Sequence, residues 1–139
     1  MYRLFYAERD ATIYERFPEK NTGIDQILEL IKLSSASSDF SNTYNTRILI
    51  DFGSEINTLR SAVNNNSIPP IGNAADSASV YLKMFAAESQ DLLRSYSLEA
   101  YPVSESWENG TGTFSDKPEL RNGVSWYYRT GTANAIYWN

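Results

Sequence analysis

YSLEAYPVSESWENGTGTFSDKPELRNGVSW, residues 96–126, is the stretch whose reading decides the fold. It starts as an alternating segment running into Pro102, turns through Trp107 among acidic neighbours, and passes a Gly-Thr-Gly at 110–112. A polar loop follows, ending on Gly123-Val124-Ser125-Trp126. Tryptophans placed beside glycine loops suit the ends of an antiparallel β-sandwich, where a large ring closes the interior like a lid. Trp107 and Trp126 are therefore assigned to the core as lids. The stretch does not read as an enzyme pocket.

Working outward, the alternation of period two recurs along the chain. Residues 2–6 and 11–14 read as two short strands, and 17–23 (FPEKNTG) as a turn cluster in which Asn21 and Gly23 suit positive φ. Residues 27–33 (ILELIKL) fit a helix or a strand by periodicity. Their short length, bracketed by Gly23 and a serine run, favours a strand. Residues 47–52 (RILIDF) form the clearest strand, with Ile48, Ile50 and Phe52 on one face and Arg47, Leu49 and Asp51 on the other. The period then changes. Ser54 is placed to cap a short helix carrying Ile56, Leu59 and Val63, which ends in Asn64-Asn65-Asn66 ahead of Pro69-Pro70. Residues 67–78 read as a long loop. Residues 79–88 and 94–103 read as two longer strands joined as a hairpin or arch, 124–129 as another, and 135–138 as a last one. Seven or eight strands with one helix match the arithmetic of a two-sheet sandwich.

Composition sets the outer limits. The chain has 139 residues, enough for one domain with an adequate core, and is 14% aromatic with ten tyrosines. Its 17 acidic against 12 basic residues, with no basic cluster, argue against a nucleic-acid partner. Cysteine and histidine are both absent, which removes the Ser-His-Asp arrangement, the thiolate nucleophile and the ordinary zinc site. The N-terminal MYRLFYAERD lacks the basic and apolar regions of a signal peptide. No apolar run approaches membrane-spanning length, so no membrane span is expected.

The order of motifs resembles the DNRLRE-type, or disaggregatase-related, β-sandwich domains. The resemblance rests on Asp10-Ala11-Thr12-Ile13-Tyr14, then Asn21-Thr22-Gly23 with Asp25, Leu28 and Leu30, then Arg47-Ile48-Leu49-Ile50-Asp51-Phe52. It continues in residues 79–88, in Ser104-Glu105-Ser106-Trp107-Glu108 and in Gly123-Val124-Ser125-Trp126. It departs at Gly53, where the family carries Asp, and at Trp138-Asn139, where family members commonly continue into one more strand. The wording of the chain also resembles virion structural proteins of marine tailed phages that infect cyanobacteria. Together these imply an all-β domain spanning 1–139: a jelly-roll-like two-sheet antiparallel sandwich, lacking a final strand, with one short helix inserted after the central RILIDF strand. They imply a non-enzymatic particle component at the neck, tail or surface, located in the virion. Its partners would be copies of itself and other virion proteins covering the exposed edge. A carbohydrate-binding module contacting host surface polysaccharide is the alternative.

The residues that carry chemistry each have a plain structural counterpart. Glu105, Glu108 and Asp116 lie near Trp107 and offer the paired carboxylates of glycoside hydrolysis, yet they read better as a solvated acidic turn. No catalytic residue is assigned. Asp10, Asp25 and Asp51, with Glu15, are weak calcium candidates without the spacing of a calcium loop, so no metal and no cofactor is expected. Tyr127, Tyr128, Tyr137 and Trp138 are the candidates for an interface or a sugar-stacking platform. Tyr127 and Tyr128 alternate across one strand, so one of them must face outward. Arg47 is expected to pair or snorkel, with Asp51 on the same face.

Overall fold

The computed structural model describes residues 2–34, 43–69, 71, 78–88 and 97–139. The chain divides into two compact units, one of Met1–Phe52 with Pro102–Asn139 and one of Gly53–Tyr101. Each is described by itself.

The first unit is built on strands β1 (Arg9–Tyr14), β2 (Lys32–Ser34) and β3 (Thr43–Asp51), in the order β1-β3-β2. Both pairings are antiparallel: β1 runs along β3 from Arg9↔Asp51 to Tyr14↔Thr46, and β2 from Lys32↔Asn45 to Ser34↔Thr43. This corrects the two-sheet jelly-roll sandwich. The described residues hold one open three-stranded sheet, with no second sheet to face it. Alternation is only half of a strand; the other half is a neighbour with which to share a ladder. Residues 79–88 and 97–103 have the alternation and no ladder. Residues 94–96 of the expected second long strand lie outside the described residues. The expected strands at 124–129 and 135–138 reduce to one bridge, Tyr128↔Tyr137. Residues 2–6 form no strand, and ILELIKL enters the sheet only at Lys32.

Loops take the place of the missing layer. Ala11, Ile13 and Leu49 on the sheet make the buried apolar cluster with Trp107 and Val124, and Trp126 and Trp138 pack against it. The core thus sits on the face of β3 that carries Arg47, Leu49 and Asp51, the more polar of the two faces in sequence. Its charges are absorbed by ring stacking and ion pairing. The Arg9 guanidinium lies 4.6 Å from the Trp107 ring centre and Arg47 lies 4.7 Å from Trp126. Arg9 also holds Asp51 at 2.7 Å and donates to the Trp107 carbonyl at 2.6 Å. Asp51 therefore pairs with Arg9, across the sheet. The opposite face of β1 is covered where residues 29–31 approach β2. There Glu29 N–H donates to Thr12 Oγ1 at 3.0 Å and Ile31 N–H to Thr46 Oγ1 at 2.7 Å. Residues 11–14 of β1 are consequently buried on both faces.

In the second unit α1 (Gly53–Asn64) forms where the period of three and four is read, with Ser54 inside the first turn. Its end is a Schellman cap. Asn66 takes φ 59°, its N–H reaches the Val63 carbonyl at 3.1 Å, and the Ser67 N–H reaches the Ala62 carbonyl at 2.9 Å. No residue of α1 is buried.

Candidate functional site

Three places bring chemically interesting side chains together, and Asn21 organises the first. Its side chain is 0% exposed and fully engaged. Nδ2 donates to the Asn109 carbonyl at 2.7 Å and the Val124 carbonyl at 2.9 Å, while Oδ1 accepts from the Gly112 N–H at 2.8 Å and the Gly23 N–H at 3.4 Å. One amide therefore joins three loops. The approach needs bare backbone: a Cβ on Gly110, whose φ is +76°, would lie 2.3 Å from Asn21 Oδ1 and 2.7 Å from the Gly123 Cα. This hub holds Trp107 and Val124 over the sheet. Its partners are internal, so it is structural.

The second place gathers the aromatic residues near the end of the chain. Tyr128 is buried and Tyr127 exposed, which is the alternation expected of the pair. The Tyr128 ring lies 4.9 Å from that of Tyr137 and 6.2 Å from that of Tyr127. Its phenol is pushed up to about 12, first by the hydrogen bond with Tyr137. Trp138 is turned inward: its Nε1–H donates to the Ser125 carbonyl at 2.9 Å, and its ring packs on the apolar cluster. Tyr127 and Tyr137 are thus the members of the expected platform that reach solvent. Trp107 is buried in the cluster and Trp126 lies against it under Arg47.

The third place is an open hollow of about 520 Å³ lined by Ile24, Asp25, Gln26, Ile27, Glu29, Thr113, Phe114 and Ser115. Burial is the largest influence raising the Asp25 carboxyl above the usual range, and the charges of Glu29 and Asp116 add to it; the Phe114 N–H opposes the shift. Lys20 lies behind the hollow, 4.3 Å from the Phe114 ring centre, and is paired with Glu119 at 3.3 Å. Tyr14 donates to Glu29 Oε2 at 2.5 Å. The weak calcium candidates form no cluster: Asp25 lines the hollow, Asp51 pairs with Arg9, and Asp10 stands on β1 opposite Ile50. No group of three His, Cys, Asp or Glu suited to a metal is present among the described residues. The acidic turn is likewise dispersed. Glu105 pairs with Arg129 at 3.4 Å, and Asp116 is held below the usual carboxylate range by the Thr113 N–H and hydroxyl.

A surface that the strand reading passed over lies in the second unit. Val80, Tyr81 and Phe85 are 91%, 87% and 85% exposed, and Leu82, Met84, Leu98 and Tyr101 are exposed with them. The sequence reading takes 79–88 and 94–103 as two strands of a sandwich, with Val80, Leu82 and Met84 alternating against Tyr81, Lys83 and Phe85. The sequence carries a signal for this surface, because both faces of residues 80–87 are apolar apart from Lys83, a pattern that demands cover on both sides. Among the described residues, no helix is long and apolar enough to cross a membrane. No family model, curated protein or solved structure matches this chain.

Proposed function

We propose that the chain is a non-enzymatic structural component that works by packing against other polypeptides. The particle it helps to build is a tailed-phage virion, as its sequence resemblance implies. The observation that carries the packing reading is the exposure of Val80, Tyr81 and Phe85 on a segment with strand alternation and no strand neighbour. Apolar side chains contiguous over such a length mark a protein contact far more often than a free surface. An unsatisfied strand-like segment is also the element that joins sheets between chains. The carboxylates near Trp107 fit this reading, since Glu105 and Asp116 are already held by Arg129 and Thr113.

The test is association of the full chain with itself or with purified particle proteins, compared with Tyr81→Ser/Phe85→Ser. Wild type is expected to sediment well above its 15.7 kDa monomer or to bind particle proteins. The double variant should lose roughly a hundredfold or more in affinity, because two exposed aromatic anchors are removed. A wild-type chain that stays monomeric at high concentration and binds no particle protein would overturn the reading.

A further inference from the structure

We infer that residues 80–85 and 97–101 pair with each other between two copies of this chain, with Lys83 set opposite Glu99. This rests on the packing function proposed above and names the partner. Both segments alternate, so Tyr81, Lys83 and Phe85 share one face and Leu82 and Met84 the other; Ser97, Glu99 and Tyr101 share one face and Leu98 and Ala100 the other. Laid antiparallel with Lys83 opposite Glu99, the two match throughout. Tyr81 meets Tyr101, Phe85 meets Ser97, Leu82 meets Ala100, and Met84 meets Leu98. Cross-strand aromatic, apolar and opposite-charge pairs each stabilise a ladder. A slip of one residue sets Glu99 against Leu82 or Met84 and Lys83 against Leu98 or Ala100, so the register is strongly specified.

Within one chain this complementarity is unused. Neither segment joins a ladder among the described residues, and their large side chains stand in solvent. Among the described residues each charge has a same-face neighbour two residues away: Lys83 Nζ lies 5.0 Å from the Phe85 ring centre, and Glu99 accepts from the Tyr101 hydroxyl at 2.5 Å. Every copy carries both halves of the match. Two copies related by a twofold axis therefore form two equivalent ladders, each Lys83 facing the other copy's Glu99, and the contact closes on itself.

Charge reversal separates the possibilities. Lys83→Glu places two carboxylates opposite each other at both ladders, and Glu99→Lys places two ammonium groups there. Measured by sedimentation on the full chain, each variant alone should self-associate roughly tenfold or more weakly than wild type. An equimolar mixture should recover wild-type association, because each strand then meets its opposite charge in the other variant. Both positions are exposed, so the sheet and helix signals should not change, and Lys83→Glu/Glu99→Lys serves as the control for folding and pairing. If that double variant associates normally while the mixture of single variants does not, the pairing lies within one chain and the inference falls. If wild type self-associates and neither reversal weakens it, the inference falls while the packing function stands. A wild-type chain that associates with nothing removes both.

Discussion

At the scale of the residue, Asn21 is the side chain on which the first unit depends. Asn21 and Gly23 do not take the positive φ that the turn reading expects, so turn propensity is not what places the asparagine. The four backbone groups that engage its side chain explain both its place and its burial. Asn21→Asp keeps the shape but turns two donated hydrogen bonds into a carboxylate facing two carbonyl oxygens. The expected cost is about 3 kcal/mol or more in urea unfolding, and a variant as stable as wild type would show that the loops do not need the hub. Tyr14 allows a pH test. Burial comes first, then the hydrogen bond to Glu29 and its charge, in holding the phenol well above its ordinary 10.0. The folded value exceeds the unfolded one, so this contribution is full below pH 10.0 and is lost as pH climbs toward the folded value. Tyr14→Phe should cost about 1 kcal/mol at neutral pH. Its stability should fall less than that of wild type between neutral pH and about pH 11.

At the scale of the element, local chemistry was legible where local chemistry decides. RILIDF lies in β3 but for Phe52, and the helix ends at the asparagine run, although it begins at Gly53 and so takes Ser54 into its first turn instead of using it as the cap. Asn66 in the left-handed region is the reason the run ends α1. Asn66→Ala should destabilise the helix by about 1 kcal/mol, while Asn66→Gly should be neutral or slightly stabilising. A thermal scan of the helical far-ultraviolet signal distinguishes the two, and equal scans would mean that the cap is dispensable. The alternation of residues 79–88 and 124–129 was legible too, yet it carried less than a strand requires. The first has no ladder, and the second keeps one bridge at Tyr128 because its backbone is committed to Asn21, Glu108 and Pro18.

At the scale of the whole molecule, one unit is an open sheet covered by loops and the other carries an exposed apolar segment, on which the proposed packing function rests. The edge left by a truncated sandwich is not what the structure offers. The outer side of β1 is partly taken, since Thr22 donates its hydroxyl to the Thr12 carbonyl at 2.6 Å. Exposed apolar side chains stand on residues 80–85 and 97–101, and in the first unit at Tyr2, Leu4 and Tyr6. Under the proposed function, removal of the aromatic side chains of Tyr81, Phe85 and Tyr101 should weaken association and leave the sheet signal unchanged, since these residues belong to the other unit.

The sequence by itself determined the features that depend on neighbours within a few residues: the helix and its asparagine cap, the central strand, the turn at 17–23, and the alternation of Tyr127 and Tyr128. The tertiary structure alone decided which face of β3 became the core, that Asp51 would bind Arg9, that Trp138 would turn inward, and that, among the described residues, a sheet of three strands would stand without a second. Those outcomes hang on segments as far apart as Arg9 and Trp107 or Asn21 and Val124. Periodicity reports which side chains can share a face. It carries no information about which distant loop will arrive to cover it.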